Sequence, residues 1–145
     1  MAYKTSPMGL EDVRRFFDRA PFMEDLGIEP ITVGEGLLTA SLNLKPRFFQ
    51  HTGQAHAGVL ITLADHSMGT AAQTLAADGF WAITAEIKSS LLRPARGPQL
   101  ICEARVLKTG KQLAFTEAEV YSQDAHGRIL VLKASATMAW VAAER

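Results

Sequence analysis

The sequence predicts an α+β domain in which an antiparallel β-sheet of about five to six strands curls around one long central helix. Two observations predict this class. The run between residues 57 and 77 is apolar on every side of a helical projection, which is typical of a helix surrounded by other elements. The segments after it are apolar at every second residue, as in half-buried strands. All of these elements fit a single domain over residues 1–145.

The elements before the long helix are a short helix and a hairpin. Residues 9–22 have apolar side chains at helical spacing and acidic residues in the first turn, and this predicts an amphipathic helix that ends near Pro21. Residues 26–44 predict two strands around a turn at residues 34–36, where two glycines flank Glu35. The two strands are therefore expected to form a hairpin.

The long helix is predicted to begin near His56 and to end by Gly79, because glycine is a favourable residue at a helix C-terminus. Asp65 is the only formally charged residue between His56 and Asp78. A carboxylate near the centre of a bilayer costs about 2.5–3.5 kcal/mol, so this helix is expected in a protein core rather than in a membrane.

Four segments rich in strand-forming residues follow the helix. They comprise residues 81–92, 99–108, 112–122 and 128–141. The connections between them, "RPARGP", "TGK" and "QDAHG", are short and carry Gly or Pro. Short connections of this kind join antiparallel neighbours, so the four segments are expected to form most of the sheet.

Composition limits the partners and the compartment. Fifteen basic and fifteen acidic residues give a net charge of zero, so no overall field attracts nucleic acid or an anionic membrane. The single cysteine, Cys102, excludes an intrachain disulfide and a cysteine-based metal cluster, and its alternating strand predicts a small core residue. The first residues have no apolar segment typical of a secretory signal, so a cytoplasmic protein is expected.

The segment "QHTGQAHAGVLITLADHSMGTAA", with "LLRPARG" and "GKQLAF" after it, resembles the hotdog-fold acyl-CoA thioesterases of the phenylacetate-pathway type. The similarity extends over roughly residues 25–141. The resemblance implies a long helix wrapped by an antiparallel sheet, and assembly into a homodimer or homotetramer. It also implies hydrolysis of an acyl-CoA thioester without a metal or an organic cofactor.

The resemblance also implies roles for individual residues. Asp65 falls on the general base or nucleophile of the family, and Thr84 falls where a Ser or Thr helps to hold the attacking water. Ala57 replaces a glycine whose backbone N–H holds the thioester oxygen. Gln50 stands where this branch has Asn, although related hotdog thioesterases carry Gln there.

Further positions are expected to complete the site. Gly53, His56 and Gly58 match the family pattern, and His56 is interpreted as a helix cap, a core histidine or a proton-transfer group. His66 is expected to face a packing neighbour or the substrate channel. The candidate substrate-binding residues are Gly53, Phe49, Met68, Gly69, Arg93 and Arg96. Some of the basic residues on hairpin ends, Arg93, Arg96, Lys108 and Lys111, are expected to meet the phosphates of CoA.

The spacing on the helix predicts an oligomer. The N–H groups of Ala57 and Gly58 at the helix N-terminus are suited to stabilise an oxyanion. Ala57 and Asp65 are eight residues apart, a separation of roughly 12 Å along a helix, whereas reacting groups must approach within about 3 Å of one centre. We therefore expect the donors of one subunit to face Asp65 of another, with two long helices side by side and antiparallel.

Two alternatives to thioester hydrolysis remain open from the sequence. One is a non-catalytic acyl-CoA sensor on the same fold, and the other is a hotdog hydratase or dehydratase, for which no Asp-x-Asn-Pro-x-His segment occurs. A metal site between His56 and His66 would have to span about 15 Å of helix, so no metal is expected. Aryl, short-chain and medium-chain acyl groups all remain open.

Overall fold

The computed structural model describes residues 8–144 and contains three α-helices, one short 3₁₀ helix and six strands in that range. The order along the chain is α1 (Leu10–Asp18), α2 (Pro21–Leu26), β1 (Ile28–Gly34), β2 (Leu37–Asn43), a 3₁₀ turn (Pro46–Phe48), α3 (Ala57–Gln73), β3 (Phe80–Leu91), β4 (Gln99–Thr109), β5 (Leu113–Asp124) and β6 (Gly127–Ala142).

The six strands form one antiparallel sheet in the order β1-β2-β4-β5-β6-β3, and this sheet wraps around α3. Buried residues alternate with exposed ones along β5, so that one face of the sheet packs on the helix and the other faces solvent. Leu60, Leu63 and Met68 of α3 are fully buried against that inner face. The predicted fold, a long helix wrapped by a curled antiparallel sheet, is confirmed. Within residues 8–144 no helix is long and apolar enough to cross a membrane.

The two edges of the sheet are β1 and β3, and α1 lies near both the first edge and the central helix. Phe16 of α1 stacks on Trp81 of β3 with 6.0 Å between ring centroids. Phe17 packs edge-on against His66 of α3 at 4.3 Å. The short N-terminal helix therefore joins β3 to α3 through aromatic contacts.

Pro21 begins a helix that the sequence pattern did not predict. The segment before it ends as expected, since α1 stops at Asp18. Pro21 then occupies the first position of α2, where its fixed φ suits a helix and its missing N–H needs no partner. Gly27 closes this helix in the left-handed conformation, with a φ of 72°.

Helix α3 ends at Gln73, six residues before the glycine that was expected to cap it, and Thr74 is its C-cap residue. The Thr74 hydroxyl donates to the carbonyl of Ala71 at 2.6 Å and accepts the Gly36 N–H at 2.8 Å. These bonds satisfy a carbonyl of the last turn and tie it to the β1–β2 hairpin. Gly79 instead adopts a φ of 84° in the turn before β3.

Candidate active site

The first turn of α3 is held by an imidazole. His56 is the N-cap residue, in an extended conformation, and its Nδ1 accepts the Gly58 N–H at 2.9 Å. This bond requires a lone pair on Nδ1, so the neutral ring carries its proton on Nε2. A Cβ on residue 58 would lie 3.0 Å from the same nitrogen, which explains why glycine suits this position. The structure therefore shows that His56 is the helix cap and, since it is exposed, not a core histidine, while its role in proton transfer stays a prediction.

Of the two expected backbone donors, only one lacks an acceptor among residues 8–144. The Gly58 N–H is engaged by His56, so the expectation that it is available for an oxyanion is wrong. The Ala57 N–H has no hydrogen-bond acceptor among residues 8–144. It lies at the positive end of the helix, half-exposed, and is thus the donor that the first turn offers to a ligand.

A cavity of about 350 Å³ opens beside this donor. Two loops form it and are joined where the Ala55 N–H donates to the Ala95 carbonyl at 2.8 Å. The lining residues are Gln50, Gln54, Ala55, Ala57, Leu60, Leu91, Leu92, Arg93, Pro94 and Ala95. The structure therefore brings Gln50, Ala57 and Arg93 together, as the site predictions require.

Turn geometry and hydrogen bonds fix the loops around this cavity. The Gly53 N–H donates to the Gln50 carbonyl at 3.1 Å, and Gly53 itself has a φ of 81°, which favours glycine. The Arg93 guanidinium donates to the Leu130 carbonyl at 2.9 Å, so this side chain is anchored at the rim. Gln54 was not predicted from the sequence, because the family pattern has no characteristic residue at this position. Only the conformation of the turn places it beside Gln50.

The second group of candidate residues lies at the middle of α3. The Thr84 hydroxyl, on β3, donates to Asp65 Oδ1 at 2.7 Å, and Met138 Sδ lies 3.4 Å from the same hydroxyl. Asp65 is half-buried and Thr84 is exposed. The β3–β6 register shifts between Thr84 and Glu86, so a bulge directly follows the threonine. The carboxylate is thus fixed by one hydroxyl.

The two groups do not meet within one chain. Ala57 and Asp65 are eight residues apart on a continuous helix, which separates them by about 12 Å. The Asp65–Thr84 pair is not part of the lining of the cavity next to Ala57. One chain therefore presents the Asp65 carboxylate and the Thr84 hydroxyl at the middle of α3. It presents the Ala57 N–H and the Gln50 amide at the start of the same helix.

His66 faces packing neighbours. Its ring lies against Phe16 and Phe17, and its Nε2 is buried without a hydrogen-bond partner in the described part of the chain. Burial lowers its pKa from 6.5 to about 4, so the ring is neutral at neutral pH. Cys102 is buried in the core, as expected, and burial raises its pKa to about 12, which makes the thiol unreactive.

The remaining candidate substrate-binding residues divide into accessible and inaccessible ones. Met68 is fully buried in the core, so the prediction that it contacts substrate is not supported by its position. Open space surrounds the position of a Cβ on Gly69, and Phe49 is half-buried. Arg96 is exposed on the loop that carries Arg93.

Lys108 and Lys111 lie at the other end of the sheet. Both lie at the β4–β5 turn. This turn is beside the start of β3, because the Trp140 backbone N–H donates to the Gln112 carbonyl of the turn and Trp140 is paired with Ala82 of β3. The Arg93 loop instead follows the opposite end of β3 at Leu91.

Within residues 8–144, no three His, Cys, Asp or Glu side chains are arranged to hold a metal ion.

Comparison with known proteins identifies the family. Residues 52–128 match the family model of the thioesterase superfamily, and this match spans more than half of the chain. The chain belongs to the thioesterase superfamily. It is a thioester hydrolase by family, and the resemblance to hotdog-fold thioesterases is confirmed.

Relatives agree with this assignment over most of their lengths. An esterase candidate from Saccharolobus solfataricus is 25% identical over 136 residues, which is 92% of this chain and 85% of that protein. A thioesterase family protein from Silicibacter pomeroyi has a TM-score of 0.87 and 28% identity, covering 90% of this chain and 96% of its own. A phenylacetic acid degradation-related protein from Ralstonia eutropha, described as a candidate thioesterase, has a TM-score of 0.75 and 26% identity, covering 82% and 89%.

Proposed function

We propose that this protein hydrolyses acyl-CoA to the free acid and CoA, at a site that two subunits complete. The observation that carries the proposal is the Asp65–Thr84 hydrogen bond of 2.7 Å, with an Ala57 N–H on the same helix that has no acceptor among residues 8–144. Hydrolysis of a thioester needs a base or nucleophile and a donor for the oxyanion. The chain carries both, but about 12 Å apart.

The free edge of β3 supports an arrangement that brings them together. Thr84 lies at the level of Asp65, since the two are hydrogen-bonded, and Leu91 lies at the level of Ala57, since both line one cavity. If two β3 edges pair antiparallel about an axis between Ile87 and Lys88, Thr84 of one subunit lies opposite Leu91 of the partner subunit. The helix N-terminus of the partner subunit then approaches Asp65, and symmetry creates two such sites.

The proposed hydrolysis needs only water and the side chains of the site, without a cofactor. Asp65 removes a proton from a water molecule that attacks the thioester carbonyl carbon, or the carboxylate attacks that carbon directly and water then hydrolyses the anhydride. The Thr84 hydroxyl orients the carboxylate through Oδ1. The carbon–sulfur bond breaks, and the CoA thiolate leaves and takes up a proton.

The partner subunit supplies the stabilising groups in this proposal. Its Ala57 N–H, at the positive end of the helix, faces the oxyanion, and its Gln50 amide, which lines the same cavity, is the second donor. Arg93 and Arg96 lie on the loop beside that cavity and are suited to the phosphates of CoA. A homodimer is the smallest assembly that meets these requirements.

Mixing two inactive variants tests the composite site directly. Asp65→Asn removes the acid, and Ala57→Pro removes the backbone donor at the first helical position, where proline is well tolerated. Each variant alone is expected to release little thiol from a panel of acyl-CoA thioesters. Half of the randomly assorted dimers are hybrids, and each hybrid has one intact site of two, so the co-expressed mixture should recover about a quarter of wild-type activity.

Other outcomes of this experiment contradict parts of the proposal. A mixture that stays as inactive as its components contradicts a site shared between subunits. An active monomer, identified by its mass in solution, contradicts it as well. If the wild type binds acyl-CoA but releases thiol from none of the thioesters, the chain is a sensor rather than an enzyme.

A further inference from the structure

A second cavity, of about 190 Å³, lies between α1, α3 and β3 and plays no part in the chemistry described above. Its lining consists of Phe16, Arg19, Ala20, His66 and Trp81. Phe16 lies between the other two rings, with its centroid 6.0 Å from that of Trp81 and 6.2 Å from that of His66. The walls are thus apolar and aromatic.

One cationic group interrupts these apolar walls. Arg19 is exposed, and its guanidinium has no carboxylate partner among residues 8–144. The other two arginines of this helix region, Arg14 and Arg15, are both paired with acids. His66 adds no second cation, because burial keeps its imidazole neutral. The cavity therefore combines an apolar body with one positive charge at its rim.

The cavity lies close to the reactive pair. His66 directly follows Asp65 on α3, and Trp81 precedes Thr84 by three residues on β3, a distance of about 10 Å along a strand. Gly69 lies one turn after Asp65. Apart from its chain neighbours and its own helix backbone, no atom of residues 8–144 lies within 4 Å of the point that a Cβ on Gly69 would occupy, so space is open beside the pair. An acyl group whose carbonyl carbon lies beside Asp65 can therefore extend toward the aromatic walls.

We infer that this cavity receives the far end of the acyl group, and that Arg19 selects medium-length acyl groups that end in a carboxylate. The inference rests on the proposed function, because it assigns the substrate class of the same site. A cavity of about 150 Å³ lined by apolar side chains holds benzene, so the volume here suits an apolar segment of about six carbons. A planar guanidinium then pairs with the terminal carboxylate.

Two matched thioesters test the selection. Octanedioyl-CoA and octanoyl-CoA have the same chain length and differ only in the terminal carboxylate. The wild type should hydrolyse octanedioyl-CoA with the higher kcat/KM, and Arg19→Ala should lower the ratio of the two values by about three- to fivefold, as for an exposed ion pair. Arg15→Ala is the matched control, since Arg15 lies on the same helix and pairs with Asp12 at 2.8 Å, and it should leave the ratio unchanged.

A binding measurement separates this inference from the proposed function. The chain has two tryptophans, so Trp140→Phe leaves Trp81, in the cavity wall, as the fluorescent reporter. Free octanedioate should quench it at lower concentration than octanoate, and Arg19→Ala should remove the difference. If both thioesters are hydrolysed at a ratio that Arg19→Ala does not change, the inference is overturned while hydrolysis stands. If neither thioester is hydrolysed, the proposed function fails, and equal quenching by the two acids overturns the inference as well.

Discussion

The first turn and the middle of α3 provide chemically opposite groups by different means. The first turn offers a main-chain donor, Ala57 N–H, in a helix end held by the His56 imidazole at 2.9 Å. The middle offers a carboxylate, Asp65, held at 2.7 Å by a hydroxyl from the neighbouring strand. One region thus depends on local backbone geometry, and the other depends on a contact between residues 19 positions apart in the sequence.

This comparison shows how a rigid helix limits the distance over which two groups of one chain can act together. A helix keeps the two groups about 12 Å apart, and no change of side-chain rotamer closes that distance. In the proposed assembly, a second copy of the chain, turned around, would supply the missing half without bending the helix. In the proposed mechanism, the separation within one chain is the reason for the dimer.

The largest effect is expected at the middle of the helix. Asp65→Asn keeps the shape and the acceptor for Thr84 but removes the base, so kcat for acyl-CoA hydrolysis should fall by about 10³-fold. Thiol release under saturating substrate measures this loss. Urea unfolding of the variant serves as the control for folding. A variant that unfolds like the wild type and keeps most of its kcat would remove Asp65 from the chemistry.

The middle of α3 should also be the acid-sensitive region. His66 has a pKa of about 4 in the folded chain against 6.5 when unfolded, so the unfolded state binds its proton first as the pH falls. The stability contributed by neutral His66 is fully present above about pH 6.5 and is lost progressively between pH 6.5 and 4, by up to about 3 kcal/mol.

Unfolding by urea at several pH values measures this dependence. His66→Phe should flatten the profile between pH 4 and 6.5. His51→Gln is the matched control, since His51 is exposed in the loop before α3, and it should keep the wild-type profile. If the two variants give the same profile, buried His66 is not the group responsible.

A smaller effect is expected for the hydroxyl that fixes the carboxylate. Thr84→Val keeps the shape of the side chain but removes the donor to Asp65 Oδ1, so kcat/KM should fall by about tenfold, as for a hydrogen bond of about 1.5 kcal/mol to a charged group. Thr84→Ser keeps the hydroxyl and should retain most of the activity. Equal activity of the valine and serine variants would show that the hydrogen bond contributes nothing to turnover.

The periodicity of apolar residues was sufficient to predict the architecture, but it did not predict where each helix begins and ends. The alternation of apolar residues predicted about five to six strands, of which the structure has six, because burial on one face of a sheet imposes a period of two. It missed α2, where Pro21 begins a helix, and the cap of α3 was expected at Gly79 rather than at Thr74. Both errors concern helix ends, which are decided by individual side-chain hydrogen bonds such as those of Thr74.

The sequence nominated the residues of the candidate site, whose roles stay predictions, but it did not reveal all of their contacts. Helix geometry alone predicted the separation of Ala57 from Asp65. The sequence did not reveal that His56 engages the Gly58 N–H, since this depends on the rotamer of one imidazole. It also did not reveal that the Met68 side chain points into the core. A helix surrounded by a sheet buries residues on every side, so the apolar pattern does not distinguish the side that faces the core.

The smallest effect is expected at the first turn, where the roles of His56 as a cap and as a proton-transfer group can be separated. His56→Ala removes the acceptor of the Gly58 N–H, and loss of an N-cap costs about 1 kcal/mol of unfolding free energy. A frayed first turn also misplaces the Ala57 N–H, so kcat/KM should fall by a few-fold. Asparagine is a preferred N-cap residue that does not titrate near neutral pH, and His56→Asn should therefore restore both the stability and the activity. If His56→Asn restores the unfolding free energy but leaves kcat/KM as low as His56→Ala does, the imidazole has a chemical role beyond the cap, and the first turn resembles the middle of the helix in supplying a reacting side chain.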